Sequence, residues 1–178
     1  MRFILAFAAV LFAATTAHAE VTSATPSTLV LTDSADTSAS VAQVWQTLGR
    51  IGRWWSPVHS YSQDPQHHMT IDLRAGGCFC ESWQGGSVEH GRVILAMENE
   101  GARTLRLDAP LGPLQEMAVT GILTFTIEPR PNGAHVTLTY RVSGDAGLGL
   151  DQMGAPVDGV TMEQLTRLIR YAETGAPS

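Results

Sequence analysis

Two cysteines stand one residue apart between two glycine pairs, in AGGCFCESWQGG, residues 75–86. Cys78 and Cys80 are the only cysteines in the chain. A disulfide, a metal site, a redox pair, or two small side chains on one face of a strand would each account for them. In an extended strand their α-carbons lie about 6.6 Å apart, twice a rise of about 3.3 Å. That is the edge of what a disulfide tolerates, and parallel Cβ vectors hold the β-carbons beyond about 4.5 Å. Two unbridged side chains are the first expectation. A bridge requires a bulge or a flattened turn, although an oxidising compartment would favour one.

The run SYSQDPQHHM, residues 60–69, is rich in ligand atoms. His59, Asp64, His67 and His68, with Glu89 or His90, offer imidazole and carboxylate groups suited to zinc or iron. Their spacing matches no metal template such as H-E-x-x-H, and a solvated loop explains them as well. No metal and no cofactor are expected. Ser56, Ser60, Ser62 and Ser87 are possible nucleophiles, but none sits in a G-x-S-x-G elbow; GGSVE lacks the second glycine at the right place. All eleven basic residues are arginine, so Schiff-base chemistry and the lysine of a phosphate-binding loop are excluded. Glu81 and His59 remain as acid–base candidates, provided the fold joins them.

Those residues need elements to position them. Thr28 to Thr32 (TLVLT) alternates and predicts a first strand. Ser40 opens SVAQ, a capping box, before a helical stripe at positions 41, 44, 45, 48 and 51. GRWWSP predicts a short second helix stopped by Pro57. Period-two patterns then dominate: MTIDLR (69–74), CFCESW after a Gly76-Gly77 hairpin turn, and residues 88–97, 103–109, 117–127 and 135–142. On the last two, Met117, Val119, Leu123, Phe125 and Ile127 share one face, as do Val136, Leu138, Tyr140 and Val142. Alternation this clean predicts antiparallel strands with one buried face, joined at Asn132-Gly133. Residues 151–174 close the chain with a helix whose apolar stripe can lie on a sheet. The order predicts an α+β domain with helices on one face of a curved sheet.

The chain begins MRFILAFAAVLFAATTAHAE: one arginine, an apolar run, then Ala17-His18-Ala19. That pattern predicts a secretory signal peptide with cleavage after Ala19, since the apolar run falls short of the span expected of a membrane anchor. The mature protein is expected to be periplasmic or secreted, with no membrane span. Removing residues 1–19 of 178 leaves 159, enough for one domain. Residues 20–27 are expected to form a flexible tail, residues 28–173 the domain, and residues 174–178 a second tail. Loss of Arg2 takes the formal charge from −6 to −7. An acidic chain without lysine has no footprint for nucleic acid.

Taken together, VWQTLGRIGRWWSP after the first strand, the GGCFCESW strand, GRVILAM and the terminal helix resemble the START-like, polyketide-cyclase superfamily (SRPBCC). Within it the likeness is greatest to the branch named for activators of a heat-shock protein's ATPase, which has a similar Gly-Gly-x-Phe strand. The resemblance covers residues 28–173. It implies a helix-grip fold: a curved antiparallel sheet of about six to seven strands wrapped on a long C-terminal helix, with two short helices after the first strand. It also implies that Phe79 and Trp83 face inward and that both sulfurs face out. Glu81 then sits on the concave face, where a carboxylate must be paired, for instance with Arg92, or protonated. The branch's namesake activity is not carried over, since an exported protein meets no cytosolic chaperone.

The superfamily includes carriers, enzymes and partner-binding modules, so fold does not settle function. The leading expectation is a carrier whose cavity between sheet and terminal helix holds a small hydrophobic or amphipathic molecule. Trp54, Trp55, Tyr61, Phe79, Trp83, Met117, Phe125 and Tyr140 are the expected lining, with Glu81 and His59 as polar anchors. Two alternatives stand beside it: a cyclase, hydrolase or lyase using Glu81 and His59, and an accessory module binding another exported protein.

Overall fold

The computed structural model describes residues 18–178; residues 1–17 of the expected signal peptide lie outside it. Eight strands form one antiparallel sheet: β1 (His18–Thr25), β2 (Thr28–Thr37), β3 (Met69–Ile71), β4 (Cys78–Trp83), β5 (Gly86–Asn99), β6 (Ala102–Asp108), β7 (Thr120–Arg130) and β8 (Gly133–Ser143). Their order across the sheet is β1-β2-β8-β7-β6-β5-β4-β3. Between β2 and β3 come α1 (Val41–Leu48), α2 (Ile51–Trp54), a 3-10 turn at Pro57–His59, and α3 (Pro65–His68). The 21-residue α4 (Gly154–Thr174) follows β8.

Alternation sets the layers. Leu29, Leu31 and Ala35 of β2, Leu123, Phe125 and Ile127 of β7, and Val136, Leu138 and Tyr140 of β8 are all buried. They face Leu165, Leu168 and Ile169 of α4. The capping box of α1 forms as the sequence implies: Ser40 Oγ accepts from Gln43 N, and Gln43 Oε1 accepts from Ser40 N. At its far end α4 is pinned to the sheet by Glu173, whose Oε1 accepts from Thr37 Oγ1 at 2.8 Å and Ser38 N at 3.0 Å. The helix ends at Gly175 in the left-handed region (φ 77°), whose N–H returns to Tyr171 O.

Several expectations are corrected. Residues 20–25 are not a flexible tail but part of edge strand β1, paired with β2 from Glu20↔Thr32 to Thr25↔Thr28. The sheet therefore has eight strands. The predicted 69–74 strand stops at Ile71. Gly76-Gly77 is not a two-residue hairpin turn but the end of a six-residue connection. Met117 falls outside β7, which starts at Thr120. The β7–β8 turn is Pro131-Asn132, one residue earlier than expected, because Arg130 pairs with Gly133. Gly133 (φ 144°) is required there: a Cβ would meet Thr37 O at 1.9 Å.

The leading reading of the cysteines is also overturned. Cys78 and Cys80 form a disulfide. Their α-carbons are 5.4 Å apart, well inside the spacing of an extended strand. The irregularity that a bridge requires is present across the ladder: Phe79 pairs with Gly91 and Cys80 with Glu89, so His90 is an extra residue on β5. The bridge closes so small a loop that its loss should cost only about 1–2 kcal/mol. Urea unfolding of a Cys78→Ser/Cys80→Ser protein checks that figure. Two free thiols in the denatured, unreduced protein would contradict the bridge.

Candidate functional site

A cavity of about 590 Å³ opens between the sheet and the first half of α4. Tyr140 of β8 and His90 of β5 form its inner wall. Val157, Val160 and Thr161 of α4 form a second wall, and Leu111 and Leu114 of the β6–β7 connection form a third. Trp55, Val58, His59, Ser60 and Tyr61 surround the mouth. The apolar residues among these leave a space that no side chain fills.

Three side chains of α4 hold the mouth segment. Arg167 Nε donates to Trp54 O at 2.7 Å, Gln164 Oε1 accepts from Ser56 N at 2.9 Å, and His59 Nε2 lies 3.1 Å from Glu163 Oε2. Residues 163 and 167 are one turn apart, so a single helix face positions residues 54–59. The opposite wall is fixed by Tyr140. Its hydroxyl donates to Ala109 O at 2.9 Å and accepts from Leu111 N at 3.0 Å. Burial, with a smaller push from Asp108, raises its pKa to about 12, against the opposing hydrogen bond from Leu111. Gly121 makes room for this hydroxyl, since a Cβ there would stand 2.9 Å from it. A Tyr140→Phe protein should lose about 1–3 kcal/mol, because it leaves Leu111 N–H and Ala109 O without that partner. Urea unfolding measures the loss.

Behind the inner wall lies a buried ionisable pair. His90 Nε2 is 2.9 Å from Glu81 Oε2, and the two side chains are 5% and 0% exposed. Glu81 also accepts from Tyr61 N at 3.1 Å and Ser62 N at 2.6 Å. Burial acts to raise the Glu81 pKa, but hydrogen bonds from Ser62, His90 and Tyr61 outweigh it and hold the pKa below 4.5. For His90 burial prevails over the attraction of Glu81 and lowers the pKa below 6.5. The pair at neutral pH is therefore a carboxylate and a neutral imidazole. Phe79 packs 4.8 Å from the His90 ring and 5.3 Å from Trp55.

The sequence-derived candidates divide on these observations. Trp55, His59, Tyr61 and Tyr140 line the cavity. Trp54 does not: it is fully buried, and its indole N–H donates to Thr47 O at 2.7 Å. Phe79 and Glu81 are inward-facing but sit one layer behind the wall. Trp83 stacks on Tyr61 outside the cavity, with ring centroids 6.0 Å apart and planes within 1°. Phe125 is in the core, and Met117 packs against it. The partner of Glu81 is His90, not Arg92, which bonds Glu89 on the other face. Glu81 and His59 do not form one acid–base pair, because each is committed to a different residue.

The suggested metal ligands do not converge. His67 Nδ1 is 2.8 Å from Asp64 Oδ2, His68 Nδ1 donates to Ser82 O at 2.7 Å, and His59 faces Glu163. Among the described residues the one group with metal-like spacing is Cys78, Cys80 and Glu89, whose sulfurs are bonded to each other. Sequence reasoning gave no role in a cavity to His90, Leu111, Val157, Val160 or Thr161. For His90 a signal existed: Val88 and His90 share a parity that Val93 breaks, which is the mark of a bulge that turns a side chain inward.

No protein-family model matches the chain, and no curated protein matches it. Solved structures do. Human STARD10 superposes with a TM-score of 0.57 at 6% identity, covering 92% of this chain and 71% of that one. CalU16 from Micromonospora echinospora gives 0.54 at 19% identity, covering 93% and 88%. A STAR-related lipid transfer protein from Xanthomonas axonopodis gives 0.51 at 16%, covering 88% and 92%. Likeness at such low identity speaks to fold alone. The chain has the α+β, START-like helix-grip fold, an open antiparallel sheet closed by a long C-terminal helix.

Proposed function

We propose that the protein is an exported carrier that holds one small hydrophobic or amphipathic molecule between its sheet and α4. The observation that carries this reading is the cavity of about 590 Å³, walled by Trp55, Leu111, Leu114, Val157 and Val160 and open at one end. Concave apolar sites of this size are how proteins bind small molecules. A neighbour in fold whose name is a STAR-related lipid transfer protein supports the reading. Export rests on residues 1–19, with cleavage after Ala19, into the periplasm or the medium. Cleavage there leaves the β1 pairings from Glu20 onward. The Cys78–Cys80 bridge suits an oxidising compartment. The GGCFCESW strand favours the heat-shock-ATPase-activator branch, without its namesake activity. Among the described residues no helix is long and apolar enough to cross a membrane.

The test fills the space. Val160→Trp should abolish uptake of the neutral fluorophore N-phenylnaphthylamine, which the unaltered protein should bind in a saturable, one-to-one manner. Equal uptake by both proteins contradicts the cavity as the site. One observation favours a second reading, in which the bound molecule is also transformed: burial keeps His90 a neutral imidazole, the form of a general base, while Glu81 orients the ring. Under that reading His90→Gln stops turnover and spares binding. Recovery of every tested ligand unchanged argues for the carrier.

A further inference from the structure

The hydrogen-bonding groups on the cavity wall are unequal in kind. Of the lining side-chain donors, Tyr61 O–H lies exposed at the mouth and His59 Nε2 faces Glu163 Oε2 at 3.1 Å; the rest are committed to protein. Trp55 Nε1–H donates to His59 O at 2.8 Å, and Tyr140 O–H to Ala109 O at 2.9 Å. Thr161 Oγ1 donates within α4, to Val157 O or Asp158 O at 3.3 and 3.1 Å. Ser60 Oγ donates to Pro57 O at 3.1 Å. No arginine lines the cavity, and the chain has no lysine. Glu116 is the lining carboxylate, and it is exposed at the rim.

His90 is different. Its Nε2 faces Glu81 Oε2 at 2.9 Å. An ionised carboxylate only accepts, so the imidazole hydrogen sits on Nε2. Burial keeps the ring neutral, so the other nitrogen, Nδ1, is a lone-pair acceptor on a ring that forms part of the wall, and no described residue donates to it. The position is built rather than incidental. The β5 bulge turns His90 inward, Phe79 packs against the ring at 4.8 Å, and the amides of Tyr61 and Ser62 hold Glu81 beneath it. Thr161 Oγ1 adds lone pairs on the facing helix.

We infer that the cavity reads the polar end of its ligand through His90 Nδ1, and that the ligand is a neutral amphipathic molecule bearing an alcohol or phenol hydroxyl on its buried end. This rests on the carrier reading and narrows it. A hydroxyl donates to Nδ1 in a site that otherwise leaves the imidazole lone pair unmatched. A carboxylate or phosphate meets acceptors and no cation, and pays its desolvation without return. An ether or ester of the same length fills the apolar space but leaves Nδ1 unanswered.

Three probes of one chain length separate these terms: dodecanol, dodecyl methyl ether and dodecanoate, each displacing N-phenylnaphthylamine from the full protein at a pH where the carboxylate is ionised. Dodecanol should displace the dye at about one-tenth the concentration of the ether, the worth of one hydrogen bond. Dodecanoate should be the weakest of the three. His90→Phe should remove the preference for alcohol over ether. The ratio in the unaltered protein needs no variant, so misfolding of that variant leaves the test intact. Equal displacement by alcohol and ether, or dodecanoate matching dodecanol, overturns the anchor while leaving the carrier. Failure of the dye and all three probes to bind overturns the carrier reading itself.

Discussion

Replacing Glu81 by alanine should destabilise the protein by about 3–5 kcal/mol, a large share of a typical folding free energy of about 5–15 kcal/mol. The side chain is fully buried, and the change removes one acceptor from three donors: Tyr61 N, Ser62 N and His90 Nε2. Hydrogen bonds to a charged group are each worth about 1.5–3 kcal/mol, and water at the half-open mouth recovers part of the loss at Tyr61 and Ser62. Because the folded pKa of Glu81 lies below 4.5, its contribution is complete above about 4.5 and disappears as pH falls through the lowered value. The gap between the two proteins should therefore be constant near neutrality and close only in acid. Urea unfolding at several pH values measures it, and hydrogen exchange at Tyr61 and Ser62 should quicken in the variant. A loss under about 1 kcal/mol would mean that Glu81 does not hold the mouth.

An Asp33→Asn protein should be more stable than the natural one at neutral pH. Asp33 projects from β2 into the interface with α4, is fully buried, and neither carboxylate oxygen has a hydrogen-bond partner among the described residues. Burial, together with the charge of Asp158, raises its pKa from 3.8 to about 6; the nearby Thr161 hydroxyl opposes the rise, although its hydrogen lies toward the α4 carbonyls. An acid whose pKa is raised by folding favours the folded state only while it is protonated. The penalty is absent below about 3.8, grows as pH rises to about 6, and is then constant. It amounts to on the order of 3 kcal/mol. Asparagine removes the charge, so the variant should gain about 2–3 kcal/mol well above the folded pKa and almost nothing below the unfolded one. Unfolding at one pH on each side of that window decides it. A variant less stable at both would show that the carboxylate is compensated.

Much of the fold was legible because the strands that build it bury one face. The parity of Val136, Leu138, Tyr140 and Val142 located β8, and Ser40 with Gln43 marked the start of α1. What escaped has physical reasons. β1 is an edge strand held by backbone pairing with β2, and small residues such as Ser23 and Ala24 carry no hydrophobic pattern to reveal it. The disulfide depends on a bulge in the neighbouring strand, so the spacing of Cys78 and Cys80 alone pointed the wrong way. Arg92, offered as the partner of Glu81, lies past that bulge and faces outward to Glu89.

The candidate site was legible by half. The Trp54-Trp55 pair divided into one core and one lining residue, because α2 ends at Trp54 and the backbone at Trp55 is already extended (ψ 141°). Phe79 and Glu81 do face inward, yet His90 stands between Glu81 and the cavity. Trp83 shares their parity but sits at the strand's end, where it finds Tyr61 instead of the interior. The lining from Leu111 to Leu114 and the first turns of α4 belongs to irregular or weakly patterned segments, which periodicity does not mark.

The carrier proposal requires that the hollow between the sheet and α4 be occupied in the cell. Native mass spectrometry of the protein recovered from the compartment that receives it tests this most directly. The account predicts one small molecule per chain, released on unfolding and absent from Val160→Trp. Bare polypeptide mass in every preparation, with no saturable uptake of the neutral dye afterwards, would contradict it.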